Sequence, residues 1–231
     1  MKLSIVVPAF NEEKLLAGTL ACIHEAARGH PYELIVCDNN STDRTAQVAQ
    51  AAGARVVYEP VNQISRARNT GAAAATGDWL LFIDADSSPS RQLMADLKFE
   101  IERGGCIAGG CTVHLPVARL DVRLWVGLWN AMSRALSWPA GAFLFCEARA
   151  FRAAGGFSEA LYAGEEIDLA RRLKRMGRLR ILHRHPLLTS GRKAELYSAR
   201  EHLAFMLRFV ASGGRSLRRR ESCSMWYDGR R

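Results

Sequence analysis

Two aspartates, Asp84 and Asp86, close an apolar run, and their type and spacing indicate chemistry. The run, Trp79–Ile83, is long enough for a buried strand, and an ionised aspartate is rarely buried without a partner. We therefore predict that the pair lies at the C-terminal end of a central strand, the edge at which open α/β sheets bind ligands. Two carboxylates there suit Mg²⁺ or Mn²⁺, and such a metal suits a diphosphate. A strand end followed by a helix cap is the alternative, since a Ser-Ser-Pro segment comes next.

The strands and helices predicted before this aspartate pair indicate where in the sheet it lies. Strands are predicted over 3–8, 33–38 and 54–58, and each is followed by a helical pattern before the Trp79–Ile83 strand. This alternation predicts a parallel sheet with right-handed crossovers. Because parallel strands point the same way, Asp38, which ends the second strand, belongs at the same edge as Asp84.

The second part of the chain predicts further elements of both kinds. A helix is expected from residue 91 to about Gly104, with a strand over 106–115 and an amphipathic helix over 120–137. Two more strands are predicted over 141–146 and 181–188, and a helix over 195–210. Between those two strands, a helix is predicted to follow Gly164. Its acidic residues come first and its basic residues last, an order that matches the helix dipole. No repeat or linker divides the chain, and the basic residues 213–231 are predicted to be a mobile tail.

Composition, charge and cysteine spacing indicate the class of protein, its partners and its location. Apolar residues make up 48% and charged residues 24%, which is ordinary for a globular protein. The net charge of +9 is concentrated from Arg171 onward and favours phosphates, nucleic acid or an anionic membrane surface, with a solvated helix face as the alternative. The basic clusters lack interleaved aromatic residues, so we predict no nucleic-acid partner. The six cysteines show no metal-site spacing and no secretion signal is seen, which favours a cytoplasmic location.

Five segments together resemble glycosyltransferase family 2. In order, they are 5–12, 37–43, 66–71, the Asp84-Ala85-Asp86 triplet, and 164–169. The resemblance covers about residues 3–190 and implies the GT-A fold, an α/β fold with a Rossmann-like, mostly parallel sheet flanked by helices and an acceptor-side α/β half. It implies a single GT-A domain over 1–212, with a nucleotide-sugar-binding half (1–89) and an acceptor half (90–212).

The family resemblance also implies an activity. It indicates a metal-dependent, inverting glycosyltransferase of the hexosyltransferase type, which moves a sugar from a UDP- or GDP-linked donor to an unknown hydroxyl or phosphate acceptor, with Mn²⁺ or Mg²⁺ as cofactor. The Gln-x-x-Arg-Trp segment is missing, as in small, soluble, non-processive members. Two alternatives stay open. One is a non-catalytic nucleotide-sugar or membrane-surface binding module. The other is a sugar nucleotidyltransferase, which would need a glycine-rich basic loop where this chain has Pro8-Ala9-Phe10-Asn11-Glu12.

The resemblance assigns roles on the donor side. Pro8, Ala9 and Phe10 would frame the base, Glu12 would bond the ribose, and Asp38 would accept from uracil or ribose. Candidates for the donor's phosphates are Arg66, Arg68, Arg192 and Lys193. A solvated helix face is the alternative for the first two arginines.

The metal ligands are predicted from the same motif. Asp86 is expected to bind the metal directly, whereas Asp84 would touch the ribose or bind through water. A third ligand is expected from His183 or His185, with surface or core histidines as the alternative.

The catalytic base is expected at the fifth motif. The family usually has Glu-Asp there, and this chain has Glu165-Glu166. Glu166 aligns with the usual base and Glu165 is the alternate; a plain helix cap is the competing interpretation.

An apolar stripe on the predicted 120–137 helix contains two tryptophans. Trp125, Leu128, Trp129, Met132 and Leu136 share this stripe. Core packing is the first interpretation, and an apolar lid or a membrane contact is the alternative. With the basic C-terminal region, the alternative includes a lipid-linked acceptor such as a polyprenyl phosphate and peripheral association with the inner face of the membrane.

Overall fold

The computed structural model describes residues 1–117, 119–192, 196, 201, 204, 207, 208 and 211–227. The strands are β1 (Leu3–Ala9), β2 (Tyr32–Asp38), β3 (Arg55–Tyr58), β4 (Trp79–Ile83), β5 (Ser87–Ser88), β6 (Ala108–His114), β7 (Phe143–Glu147) and β8 (Leu179–Thr189). The helices that precede residue 190 are α1 (Leu16–Ala26), α2 (Thr45–Ala51), α3 (Ile64–Ala73), α4 (Arg91–Arg103), α5 (Leu120–Leu136), α6 (Ala148–Ala153) and α7 (Glu165–Leu173). Lys193 and most of the predicted 195–210 helix lie outside the described residues.

One eight-stranded sheet organises the molecule, in the order β3-β2-β1-β4-β7-β6-β8-β5. The first four of these strands are parallel, as predicted. Strand β7 runs antiparallel to both β4 and β6, whereas β6 and β8 are parallel. The sheet is therefore mixed but mostly parallel, and the C-terminal ends of β1, β2 and β4 lie at one edge.

Both faces of the sheet are covered, which explains the continuous apolar runs in its central strands. Successive side chains of a strand point to opposite faces, so Ile5 and Val7 pack in the layer of α1 and α4, whereas Val6 packs in the layer of α6 and α7. Phe82 lies in this second layer with Phe151 and packs against its ring. This double cover makes β1 and β4 a rigid base for the loops that follow them.

Helix α3 lies unusually close to β1. A Cβ on Gly71 would be 2.4 Å from Val6 Cγ1, so glycine is what permits this approach. Arg68 lies on the same helix, and its guanidinium contacts Asp84, which follows the C-terminal end of β4. Helix α3 ends at Ala73.

The described part of the predicted tail contacts the domain. Two short 3₁₀ turns, Arg215–Arg218 and Arg220–Cys223, lead into a helix at Ser224–Tyr227. The Tyr162 amide donates to the Leu217 carbonyl at 2.8 Å, and Tyr227 Oη accepts from the Ile64 amide at 3.3 Å. The domain boundaries and the mobility of the tail stay predictions. Among the described residues, no helix has the length and apolarity needed to cross a bilayer.

Candidate active site

The loops after β1 and β2 are joined to each other at the C-terminal edge of the sheet. The Asn11 amide donates to Ser41 Oγ at 3.0 Å, and Asn11 Oδ1 accepts from the Thr42 amide at 2.8 Å. Asn11 and Asn40 both have a positive φ, at 52° and 65°, which asparagine tolerates better than most residues. Asp38, 8% exposed, accepts from the Ser41 amide at 3.0 Å. At the edge predicted to bind the nucleotide, hydrogen bonds within the protein therefore hold these two loops together.

Glu12 connects this edge to the end of β8. The Glu12 amide donates to Thr45 Oγ1 at 2.8 Å, and the Glu12 carboxylate accepts two hydrogen bonds from Arg192, at 2.7 and 3.1 Å. The Arg192 guanidinium also lies 3.5 Å from Asp86 Oδ2. Arg192 therefore joins two predicted donor-site carboxylates that are far apart in the sequence.

Pro8 and Ala9 lie in the last part of β1, paired in register with Cys37 and Asp38. Phe10 follows directly and is half-buried. The three residues predicted to frame a base thus lie beside Asp38, as the parallel register requires.

Arg68 is the central residue of the second half of the site. The residue is 1% exposed. Its guanidinium donates to Glu165 Oε1 at 2.6 Å, to Asp84 Oδ1 at 2.9 Å and to the Gly141 carbonyl at 2.8 Å, and it lies 5.3 Å from the centre of the Phe157 ring. Burial alone would lower the pKa of Arg68, but the neighbouring carboxylates raise it, so the group stays charged.

The buried position of Arg68 differs from the predicted contact with donor phosphates. Its guanidinium is enclosed by protein partners, so in this structure it links Asp84 to Glu165 and does not point into an open cleft. Arg66 is more exposed and pairs with Glu159 at 3.0 Å. The sequence placed both arginines on one helix, but their partners come from segments distant in the chain.

The two consecutive glutamates at the start of α7 have different environments. Gly164, with φ of 72°, begins the turn into the helix, and Glu165 is 3% exposed and paired with Arg68. Glu166 is half-buried beside Gly141. Burial, and then the charge of Glu165, raise the pKa of Glu166 to about 8. One glutamate is therefore engaged by Arg68, whereas the pKa of the other is raised well above its usual range.

The structure does not bring the two predicted histidine ligands to the aspartate pair. His185 Nδ1 lies 2.9 Å from Asp96 Oδ2 of α4. His183 lies two residues earlier on β8 and lines a cavity next to α5. The pairing of β5 with β8 places Thr189, not these histidines, beside the Asp84–Ser87 turn. A local sequence pattern could not show this, because the position is set by strand pairing.

The carboxylates present still suit a divalent cation. Within the described part of the chain, no three His, Cys, Asp or Glu side chains are arranged to hold a metal by themselves. Mg²⁺ is commonly held by one or two protein carboxylates together with substrate phosphates. Asp86 and Asp84, at the edge of the sheet, match that donor set.

Three residues that the sequence did not assign help to build the site. Asn69 donates to the Phe157 carbonyl and accepts from its amide, each at 2.9 Å. Gln63 donates to the carbonyls of Glu159 and Leu161. Buried Glu59 accepts from Thr70 Oγ1 at 2.7 Å. The partners of Asn69 and Gln63 are almost a hundred residues away, so no local pattern indicates these roles.

Comparison with known proteins agrees with this arrangement. Residues 4–153 match the family described as Glycosyl transferase family 2. An uncharacterised glycosyltransferase of Mycobacterium tuberculosis (strain ATCC 25618 / H37Rv) is 36% identical over 135 residues, which are 58% of this chain and 57% of that protein. The chain thus spans little more than half the length of this relative.

Solved structures show the same architecture. Glucosyl-3-phosphoglycerate synthase from Mycobacterium tuberculosis, with Mn²⁺, UDP and phosphoglyceric acid, gives a TM-score of 0.66 at 23% identity, over 91% of this chain and 76% of that one. A mannosyltransferase from Pyrobaculum calidifontis, with GDP-Man and Mn²⁺, gives 0.65 at 23% identity, over 90% and 64%. These similarities confirm the predicted GT-A fold. Since the family match covers well over half of the chain, this protein belongs to glycosyl transferase family 2.

Proposed function

We propose that this glycosyltransferase transfers a sugar, with inversion, from a UDP- or GDP-linked donor to a hydroxyl or phosphate acceptor, and that it needs Mn²⁺ or Mg²⁺. The observation that carries the proposal is the contact of Arg68 with both Asp84 and Glu165. This contact links the sheet edge that would bind the donor with the glutamates that would face the acceptor. The donor classes are those bound by the two structural neighbours.

The donor would lie along the C-terminal edge of β1, β2 and β4. Asp38 supplies an acceptor for the base or ribose, and Glu12 one for the ribose. Asp86, with Asp84 beside it, would hold the metal, which neutralises charge on the leaving diphosphate when bound. Arg192 lies next to Asp86 and, among the cations of the described residues, is proposed to contact the diphosphate.

Glu166 is the proposed base. Its carboxylate would take the proton of the acceptor hydroxyl while the acceptor oxygen attacks the anomeric carbon. The bond from that carbon to the diphosphate breaks, and the diphosphate leaves with the electron pair. Attack opposite the leaving group inverts the configuration. A pKa of about 8 suits this task, because a base works best with a pKa near the working pH.

Glu165 is proposed to position Arg68 and to keep the pKa of Glu166 high. Its carboxylate accepts the 2.6 Å hydrogen bond from Arg68 and so is already engaged. This division of roles makes the two glutamates experimentally distinguishable.

The test incubates the purified full chain with UDP- and GDP-sugars and Mn²⁺. Donor hydrolysis and product formation are then measured. Glu166→Gln should abolish transfer while donor binding, measured by calorimetry, persists. Asp168→Asn is the matched control, because Asp168 lies on the same helix in a half-exposed pair with Arg172. Donor binding without turnover by the wild-type chain would instead support the non-catalytic binding module. Absence of binding to any UDP- or GDP-sugar would refute the proposal.

A further inference from the structure

Helix α5 lies on the surface of the domain, and Ser133 is its one buried residue. Its inner side is anchored. Val126 and Trp129 pack against the core, and the Asn130 amide group bonds both the N–H and the carbonyl of Val113, at 3.0 and 2.9 Å. The apolar stripe predicted for the core is therefore divided, because only part of it faces inward.

The outer side of α5 is apolar. Leu120, Leu124, Trp125 and Leu128, which we call the α5 apolar face, are exposed by 66, 66, 64 and 51%. Their spacing of four, five and eight residues places them on one side of the helix. Single exposed leucines need no explanation, but a contiguous apolar patch marks an interaction surface.

Cations flank this face. Arg123 and Arg134 are exposed on α5 itself. At the C-terminal end, Lys174 Nζ donates to the Leu136 carbonyl, and the Arg171 guanidinium lies 5.7 Å from the centre of the Trp138 ring. Helix α5 contains one acid, Asp121, which pairs with Arg119 at 2.6 Å.

A polar cavity of about 360 Å³ adjoins the same helix. Side chains able to donate to an anion line it: Asn130, Arg134, His114, His183 and Thr112. Its lining residues come from α5, β6 and β8. A basic cavity beside an apolar helix face offers room for a negatively charged head group.

We propose that the α5 apolar face rests on an anionic lipid surface, with its leucines and tryptophan among the outer acyl carbons and the flanking cations at the level of the lipid phosphates. Leucine and tryptophan on one face with arginine and lysine beside it form the pattern of an interfacial helix. A second copy of the chain fits less well, because a symmetric contact through α5 would bring the Arg123 and Arg134 side chains of both copies together. The proposal goes beyond the transfer reaction and does not depend on it.

Such a contact would orient the active site. Helix α5 leads through Trp138 and Pro139 to Gly141, whose carbonyl accepts from Arg68. A docked α5 would therefore be joined to the Arg68 contact by the short segment 137–140.

The test is cosedimentation of the full chain with vesicles of phosphatidylcholine, alone or mixed with phosphatidylglycerol. The wild type should bind the mixed vesicles. Leu124→Ser with Leu128→Ser should weaken that binding by about tenfold or more, because two apolar side chains are lost from the interface. Phe99→Ser is the matched control, since Phe99 on α4 is 60% exposed and far from α5 in sequence; it should bind like the wild type.

Charge is tested separately. Arg123→Gln with Arg134→Gln should weaken binding to the mixed vesicles by about twenty-fivefold, at about fivefold per cation, and leave binding to pure phosphatidylcholine unchanged. Circular dichroism establishes that each variant is folded. The proposal is overturned if the wild type does not sediment with mixed vesicles, or if the leucine variant binds as well as the wild type. It also fails if light scattering shows a dimer that the leucine variant dissociates. Donor turnover is measured separately, so that failure of the lipid proposal can be distinguished from failure of the proposed transfer reaction.

Discussion

Arg68 and Glu165 are separated by 97 positions in the chain, yet Arg68 Nη1 lies 2.6 Å from Glu165 Oε1 with both side chains almost completely buried. The other terminal nitrogen of Arg68 lies 2.9 Å from Asp84 Oδ1. A single guanidinium thus joins the loop after β4 to the first turn of α7. The aspartate motif and the glutamate motif are held together by this side chain.

Arg68→Met should lower the free energy of unfolding by about 3–5 kcal/mol, because it leaves the buried Glu165 carboxylate and the half-buried Asp84 carboxylate without their cation. Urea denaturation followed by circular dichroism measures the loss. Arg66→Met on the same helix is the control and should cost less than about 1 kcal/mol, since its pair with Glu159 is partly exposed. Equal losses for the two variants would contradict a central role of Arg68.

Stability should fall as pH rises towards about 8, because of Glu166. Its pKa in the folded protein is about 8, whereas an unfolded glutamate has a pKa of about 4.3. The stabilisation is complete below the unfolded pKa and is lost as pH rises through the folded pKa, because unfolding then releases a proton. Thermal unfolding from pH 5 to pH 9 measures the effect, on the order of a few kcal/mol. Glu166→Gln should make the curve flatter; an unchanged slope would exclude Glu166 as its source.

Arg192→Gln should raise the donor KM by about tenfold, because the cation beside Asp86 is lost and a charge-assisted contact is worth about 1.5–3 kcal/mol. Donor titration by calorimetry provides an independent value. Arg44→Gln is the control, since Arg44 forms an exposed pair with Glu13 at 3.2 Å in the neighbouring loop. If both variants bind donor like the wild type, Arg192 does not contact the diphosphate.

Removal of divalent metal with a chelator should abolish donor turnover, and Mn²⁺ or Mg²⁺ should restore it. Asp86→Asn should reduce turnover by about a hundredfold or more, because the charge stabilisation supplied by a metal is worth several kcal/mol. Asp96→Asn, which removes the partner of His185, should leave turnover unchanged. Full activity of the chelator-treated enzyme would show that the reaction needs no metal.

Gly71→Ala should destabilise the protein by about 1–3 kcal/mol, because the new methyl group would overlap Val6 Cγ1 and push α3 away from β1. Gly18→Ala on α1 is the matched control. No atom lies within 4 Å of its added Cβ, so the better helix propensity of alanine should stabilise the protein by up to about 1 kcal/mol. Chemical denaturation of both variants tests the close approach of α3 directly.

Several features could be predicted because they depend on local patterns. The strand before Asp84, the parallel order of the first four strands, and the shared edge of Asp38 and Asp84 follow from apolar runs alternating with helical segments. Helix α4 was predicted by the same means, and its ends are as expected: Ser90 Oγ accepts from the Leu93 amide, and Gly104 has φ of 66°. Helix α6 was not predicted, because Ala148–Ala153 is too short to show a period.

The positions of single side chains could not be predicted in the same way. The positions of His183 and His185 depend on an order of strands that no local pattern encodes. Of the predicted α5 stripe, Trp125, Leu128 and Leu136 are exposed, whereas Trp129 packs against the core. The sequence by itself determined the family, the fold class and the edge at which the carboxylates gather, since these depend on residue type and spacing. Tertiary structure alone decided that Arg68 is buried between Asp84 and Glu165, and that burial beside Glu165 raises the pKa of Glu166. Burial and the charges of neighbours set those properties, and both arise from residues that are distant in the chain.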